Sequence, residues 1–169
     1  MSNFRRNYQD SGTYFFTATL KNRNTSTLTD HFNFLKIAVL RVKQTRPFLI
    51  NAWVVLPEHL HMIWTLPKND SAYSLRWRSI KTLFCKQFGK PDKGNTRIWQ
   101  PRFWEHTIRS EKDFNAHVDY IHFNPLKHGY VNRVVDWPYS SFHHYVRKGV
   151  YGSSWSSNIE VDEKMKFGE

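Results

Sequence analysis

The chain has 169 residues, 40% of them hydrophobic and 17% aromatic, enough for one packed core and too rich in rings for a disordered chain. Twenty-five Lys and Arg against 14 Asp and Glu give a net charge of +11, the balance of a protein that binds polyanions, and with so many rings it suits single-stranded nucleic acid. The single cysteine, Cys85, excludes an internal disulfide and a multi-cysteine zinc site. No run approaches the ~20 apolar residues of a membrane span, and the polar, basic stretch 1–13 has no apolar signal core, so a cytoplasmic protein is expected.

In chain order, Thr13 to Leu20 alternates Tyr14, Phe16, Ala18 and Leu20 with Thr13, Phe15, Thr17 and Thr19, the period of a strand with one apolar face. From Leu28, the residues Leu28, Phe32, Leu35, Val39 and Val42 recur every three or four positions behind Thr27 and Asp30, which predicts one capped amphipathic helix closed by Pro47. Leu49–Leu56 and His59–Leu66 are β-rich runs joined at Pro57 and Glu58, a hairpin. Tyr73, Trp77, Ile80, Phe84 and Phe88 then fall at helical spacing, with Arg76, Arg78, Lys81 and Lys86 off the stripe. Residues 89–96 read as a loop, Arg102–Ile108 as a strand and Glu111 to about Lys127 as a helix.

This order, β-α-β-β-α-β with one extra helix, predicts an α+β fold with a ferredoxin-like split antiparallel sheet. Strands one and three lie in the middle, both crossover helices cover one face, and the other face is left for the extra helix. A domain over 1–149 is expected, followed by a tail, 150–169, that is partly flexible and acidic at its end. If Tyr14, Phe16, Ala18 and Leu20 face the crossover helices, so do Leu60, Met62, Trp64 and Leu66, and His59 and His61 point to the open face beside Phe15, Thr17 and Thr19.

His59 and His61 stand two residues apart on one side of a strand, a spacing at which both reach one metal ion. On the extra helix, Tyr120 and Asn124 stand four apart and share a face. Each has a plainer reading: Tyr120 as a core tyrosine, and Asn124, just before Pro125, as a helix N-cap. His117 is the alternative third ligand, ranked after Asn124, whereas His122 points about 200° away from Tyr120 at 100° per residue.

Four ordered blocks, VVLPEHLHMIW (54–64), WQPRFWEHTIRSEKDF (99–114), HVDYIHFNPLKHGYV (117–131) and WPYSSFHHYVRKG (137–149), resemble the REP-associated tyrosine transposases, a host-domesticated branch of the single-tyrosine HUH transposases. The resemblance spans about residues 4–155. It implies that Tyr120 is the nucleophile, that His59, His61 and Asn124 hold a divalent metal, Mg²⁺ or Mn²⁺, and that the substrate is single-stranded DNA with hairpin-forming repeats. It also implies a monomer associated with the nucleoid. In the N-terminal segment, Asp10-Ser11-Gly12 stands where the family usually has Pro-Gly-Gly, and Pro101 replaces a common arginine.

Such a site performs phosphoryl transfer: the tyrosine attacks a phosphodiester and keeps the bond energy in a 5′-phosphotyrosine, which a 3′-hydroxyl can reverse. Arg5, Arg6, Arg78, Lys81, Arg102 and Lys127 are the candidate DNA-binding residues, and Trp99 and Trp104 the candidate stacking rings. The rivals are a non-catalytic DNA- or RNA-binding module, which needs no metal, and a zinc hydrolase, which does not need Tyr120. The acids Glu160, Asp162, Glu163 and Glu169, behind a Gly152-Ser153-Ser154 joint, read either as a solvated terminus or as a competitor for the DNA groove.

Overall fold

In the computed structural model, residues 11–88, 98–156 and 167–168 are described. Four strands form one antiparallel sheet: β1 (Thr13–Thr19), β2 (Leu49–Val55), β3 (His59–Thr65) and β4 (Trp104–Thr107). Their order across the sheet is β2-β3-β1-β4, with β1 and β3 in the middle. That is the order two crossovers around a hairpin require. The register places Thr17 opposite His61 and Thr19 opposite His59, so both histidines share a face with the threonines.

One face is closed by α2 (Phe32–Thr45) and α3 (Tyr73–Lys86). Tyr14, Phe16, Ala18, Leu60, Met62 and Trp64 pack there with Leu35, Val39, Trp77, Ile80 and Phe84. The helix predicted from Leu28 is interrupted at His31, which separates a short α1 (Thr27–Asp30) from α2. Ser26, not Thr27, precedes the first turn, and its hydroxyl donates to the Asp30 carboxylate at 2.5 Å instead of capping a backbone N–H. Arg76 also departs from the sequence reading, which put it on the outer face. It is buried, with its guanidinium on the Asp70 carboxylate (2.6 Å) and on the carbonyls of Arg46 (3.2 Å) and Pro47 (2.8 Å). It ties the end of α2 to α3.

β4 is shorter than the run Arg102–Ile108. Residues 98–100 already lie beside the end of β1, with Lys21 N bonded to Ile98 O and Gln100 N to Thr19 O, and Pro101, which has no N–H, ends that pairing before Trp104 resumes it. The other sheet face is covered by α4 (Glu111–Lys127), where Val118, Tyr120 and Ile121 pack on Phe15, Ala52, Val54 and Ile63. Ser110 caps α4 by accepting from Asp113 N at 3.1 Å. The helix runs through Pro125 to Lys127, so Asn124 is an interior residue and not an N-cap. Behind α4, His122 packs with α5 (Phe142–Arg147), Tyr151 and Trp155 in an aromatic cluster. Among the described residues, no helix is long and apolar enough to cross a membrane.

Candidate active site

The site lies between β3 and α4. Because α4 covers the face that holds the two histidines, His59 and His61 are buried, at 1% and 0% exposure, rather than open as strand parity alone suggests. Along one side of α4, Tyr120, Asn124 and His128 follow at intervals of four residues. The Tyr120 ring meets His61 at 5.4 Å and the His128 ring meets His59 at 5.4 Å, so Asn124 falls between these contacts, opposite the histidine pair. Asn124 is fully buried.

Each histidine is held through Nδ1. Thr17 Oγ1 donates to the Phe167 carbonyl at 2.5 Å, so toward His61 Nδ1, 2.8 Å away, it is the acceptor. His59 Nδ1 lies 2.9 Å from Glu58 Oε1. Burial pushes the Glu58 carboxyl up, but the hydrogen bond and charge of His59 outweigh it and hold the group below its ordinary value, as a carboxylate that can only accept. Both Nδ1 atoms therefore carry hydrogen, and in the neutral imidazoles that metal binding requires, both Nε2 atoms carry a lone pair. Fixing a ligand imidazole through its second nitrogen is the usual support of a metal site, and two such nitrogens with an amide oxygen form a mixed N/O donor set suited to a first-row divalent ion.

Lys127, one turn beyond Asn124, donates to the Tyr120 hydroxyl at 3.2 Å, and its ammonium lies 4.9 Å from the ring centroid. The ring of Phe167 lies flat on Tyr120, with centroids 3.5 Å apart and planes 5° apart. Sequence reasoning did not find Phe167; a lone phenylalanine between Lys166 and Gly168 carries no periodic signal. Glu58 was legible in principle, since it directly precedes His59.

His117, the alternative ligand, belongs to a second group. His106 Nε2 sits 2.9 Å from Asp113 Oδ2, and His117 Nδ1 sits 2.8 Å from the Asp113 carbonyl and 3.0 Å from Oδ1. The ligand atoms of these three residues lie within 4.8 Å of one another and could hold a metal. Burial raises the Asp113 carboxyl, but hydrogen bonds from His106 and Arg109 N outweigh it and keep it low, whereas burial lowers the His117 imidazole against the pull of Asp113. The Phe15 ring touches both groups, at 5.4 Å from His61 and 4.8 Å from His117. His122 faces away from Tyr120, as the helical spacing requires, and burial lowers its pKa to about 3.

The cationic candidates do not converge. Arg78 and Lys81 are on α3, across the sheet from Tyr120, and Lys81 bonds the Gln100 carbonyl at 3.0 Å. Arg102 is exposed just before β4, and Arg5 and Arg6 lie outside the described residues. Of the two tryptophans, Trp99 is core, packed on Phe84, while half-buried Trp104 faces the site beside Phe15.

No family model matches the chain. It is 52% identical over 159 residues to the REP-associated tyrosine transposase of Escherichia coli (strain K12), covering 94% of this chain and 93% of that protein. It is 43% identical over 173 residues to a protein of Haemophilus influenzae provisionally given the same name, covering 97% and 98%. The fold superposes, with a TM-score of 0.91 and 50% identity, on a REP-associated tyrosine transposase solved bound to a REP hairpin, over 100% of this chain and 98% of that one. With relatives of this identity along nearly its whole length, the chain belongs to the REP-associated tyrosine transposases.

Proposed function

We propose that this protein is a metal-dependent single-stranded DNA endonuclease and strand transferase, a transposase that cuts and rejoins DNA at hairpin-forming repeats. The observation that carries the reading is the placement of Tyr120 against His61, with Asn124 one turn further along α4 and both histidines fixed through Nδ1. The REP hairpin bound by the solved relative supports the substrate class. Tyr120 attacks a phosphodiester as the phenolate, forming an O–P bond; the 3′ oxygen leaves with the electrons of the broken bond, and the 5′ phosphate stays on the tyrosine. The Lys127 ammonium offsets the negative charge of the attacking oxygen. Reversal by a 3′-hydroxyl rejoins strands without a further energy source. His59, His61 and Asn124 would hold a divalent ion, Mn²⁺ or Mg²⁺, which would supply the charge that polarises the scissile phosphate.

The protein acts as a monomer, in the cytoplasm at the nucleoid, with Arg5, Arg6, Arg102 and Lys127 as the cations that track the strand; Arg78 and Lys81, on the far side of the sheet, are not among them. The non-catalytic binding module is the weaker reading, since such modules stack bases on an open sheet face, and here Phe15 on that face is fully buried under α4. Incubating the protein with an end-labelled REP hairpin oligonucleotide and Mn²⁺ should give a labelled protein band that survives denaturation. Cleavage without such a band would favour hydrolysis, and binding without cleavage the module.

A further inference from the structure

Phe167 occupies a site made by other parts of the fold. Its ring lies flat on Tyr120, its faces and edges meet Phe15 (6.0 Å, 70°) and His117 (5.3 Å, 69°), and it is 8% exposed. Gly168, at φ +74°, runs so close to Trp104 that a Cβ there would overlap its side chain. The walls are Phe15 from β1, Trp104 from β4, and His117 and Tyr120 from α4, and all four are fixed by sheet and helix packing rather than by the segment that fills them. The slot is thus a feature of the body: flat, one ring thick, lined by π-systems, with the Tyr120 hydroxyl at its edge.

A ring lying parallel on an aromatic side chain at this spacing is the geometry in which single-strand-binding proteins hold an unpaired base. The strand that Tyr120 attacks must bring a phosphate to the phenol oxygen, and the base of an adjoining nucleotide is then the planar group nearest the slot. The main-chain contact matches as well: the Thr17 hydroxyl now donated to the Phe167 carbonyl would be released to a carbonyl of the base or to a phosphate oxygen. We propose that this slot receives one unpaired nucleobase next to the scissile phosphate, and that Phe167 stands in the place of that base. The proposal rests on the reading of Tyr120 as the nucleophile.

The test uses the full chain and a labelled REP hairpin with single-stranded flanks, in a series with one abasic nucleotide moved along the flank, reading the rate of covalent adduct formation with Mn²⁺. One abasic position, and not its neighbours, should slow the wild-type protein about ten-fold or more, the size expected from losing a stacked base. Phe167→Ala should speed adduct formation on the intact strand and give little gain on the strand abasic at that position, because only a base competes for the slot. Adduct formation that tolerates an abasic nucleotide everywhere, or an equal gain for Phe167→Ala on all strands, overturns the slot and leaves the nucleophile standing. Absence of adduct with every oligonucleotide overturns both.

Discussion

At the scale of single residues, two polar contacts separate stability from chemistry. His61 is fully buried and bonded to Thr17, so His61→Ala removes a ligand, leaves a cavity and takes from the Thr17 hydroxyl the one hydrogen bond it accepts from the ring. It should abolish adduct formation and cost about 1–3 kcal/mol of stability, measurable by denaturant unfolding. Asp70 is the converse case, distant from the site. The hydrogen bond from Arg76 holds its carboxyl below the ordinary value, ahead of the opposing effect of burial. A carboxylate with a lowered folded-state pKa stabilises fully above its unfolded value and loses that contribution as pH falls through the folded one. Asp70→Asn, which leaves the Arg76 guanidinium buried without its counter-ion, should cost about 3 kcal/mol at neutral pH, and the gap to wild type should close as the pH drops below the ordinary carboxylate range. The adduct rate at a temperature where the variant is folded should not change.

At the scale of elements, α4 decides the chemistry, because it presents Tyr120, Asn124 and Lys127 from one face to β3. Its start is fixed by the Ser110 cap, so Ser110→Ala should lower stability by about 1 kcal/mol while the adduct rate of the folded protein stays constant. Elements with strict periods were legible in the sequence: the alternation through Tyr14–Leu20 and the stripe Tyr73–Phe84 place β1 and α3 where the structure has them. What period cannot show is burial by a later element. Strand parity put His61 on the free face, but only the docking of α4 makes it a buried residue, and the off-stripe position of Arg76 hid a carboxylate waiting at Asp70. Pro125 signalled a helix boundary, yet packing of α4 on the sheet carries the helix past it to Lys127.

At the scale of the whole molecule, the sheet divides labour between its faces. One side, with α2 and α3, is core built from Phe16, Trp64 and Trp77, and the other holds the tyrosine, the histidine pair and the ring stacked on the tyrosine, Phe167. The acids read as a tail competitor, Glu160, Asp162, Glu163 and Glu169, lie outside the described residues; Phe167 meets Tyr120 through an apolar ring, a contact no charge pattern announces. The central claim is that one phenol oxygen takes the phosphate. Digesting the covalent adduct with protease and nuclease and sequencing the modified peptide by mass spectrometry should place a nucleotide 5′-phosphate on Tyr120, with no adduct formed by Tyr120→Phe although it binds the hairpin as tightly as wild type. A nucleotide on any other residue, or an adduct of equal yield from Tyr120→Phe, would contradict the account.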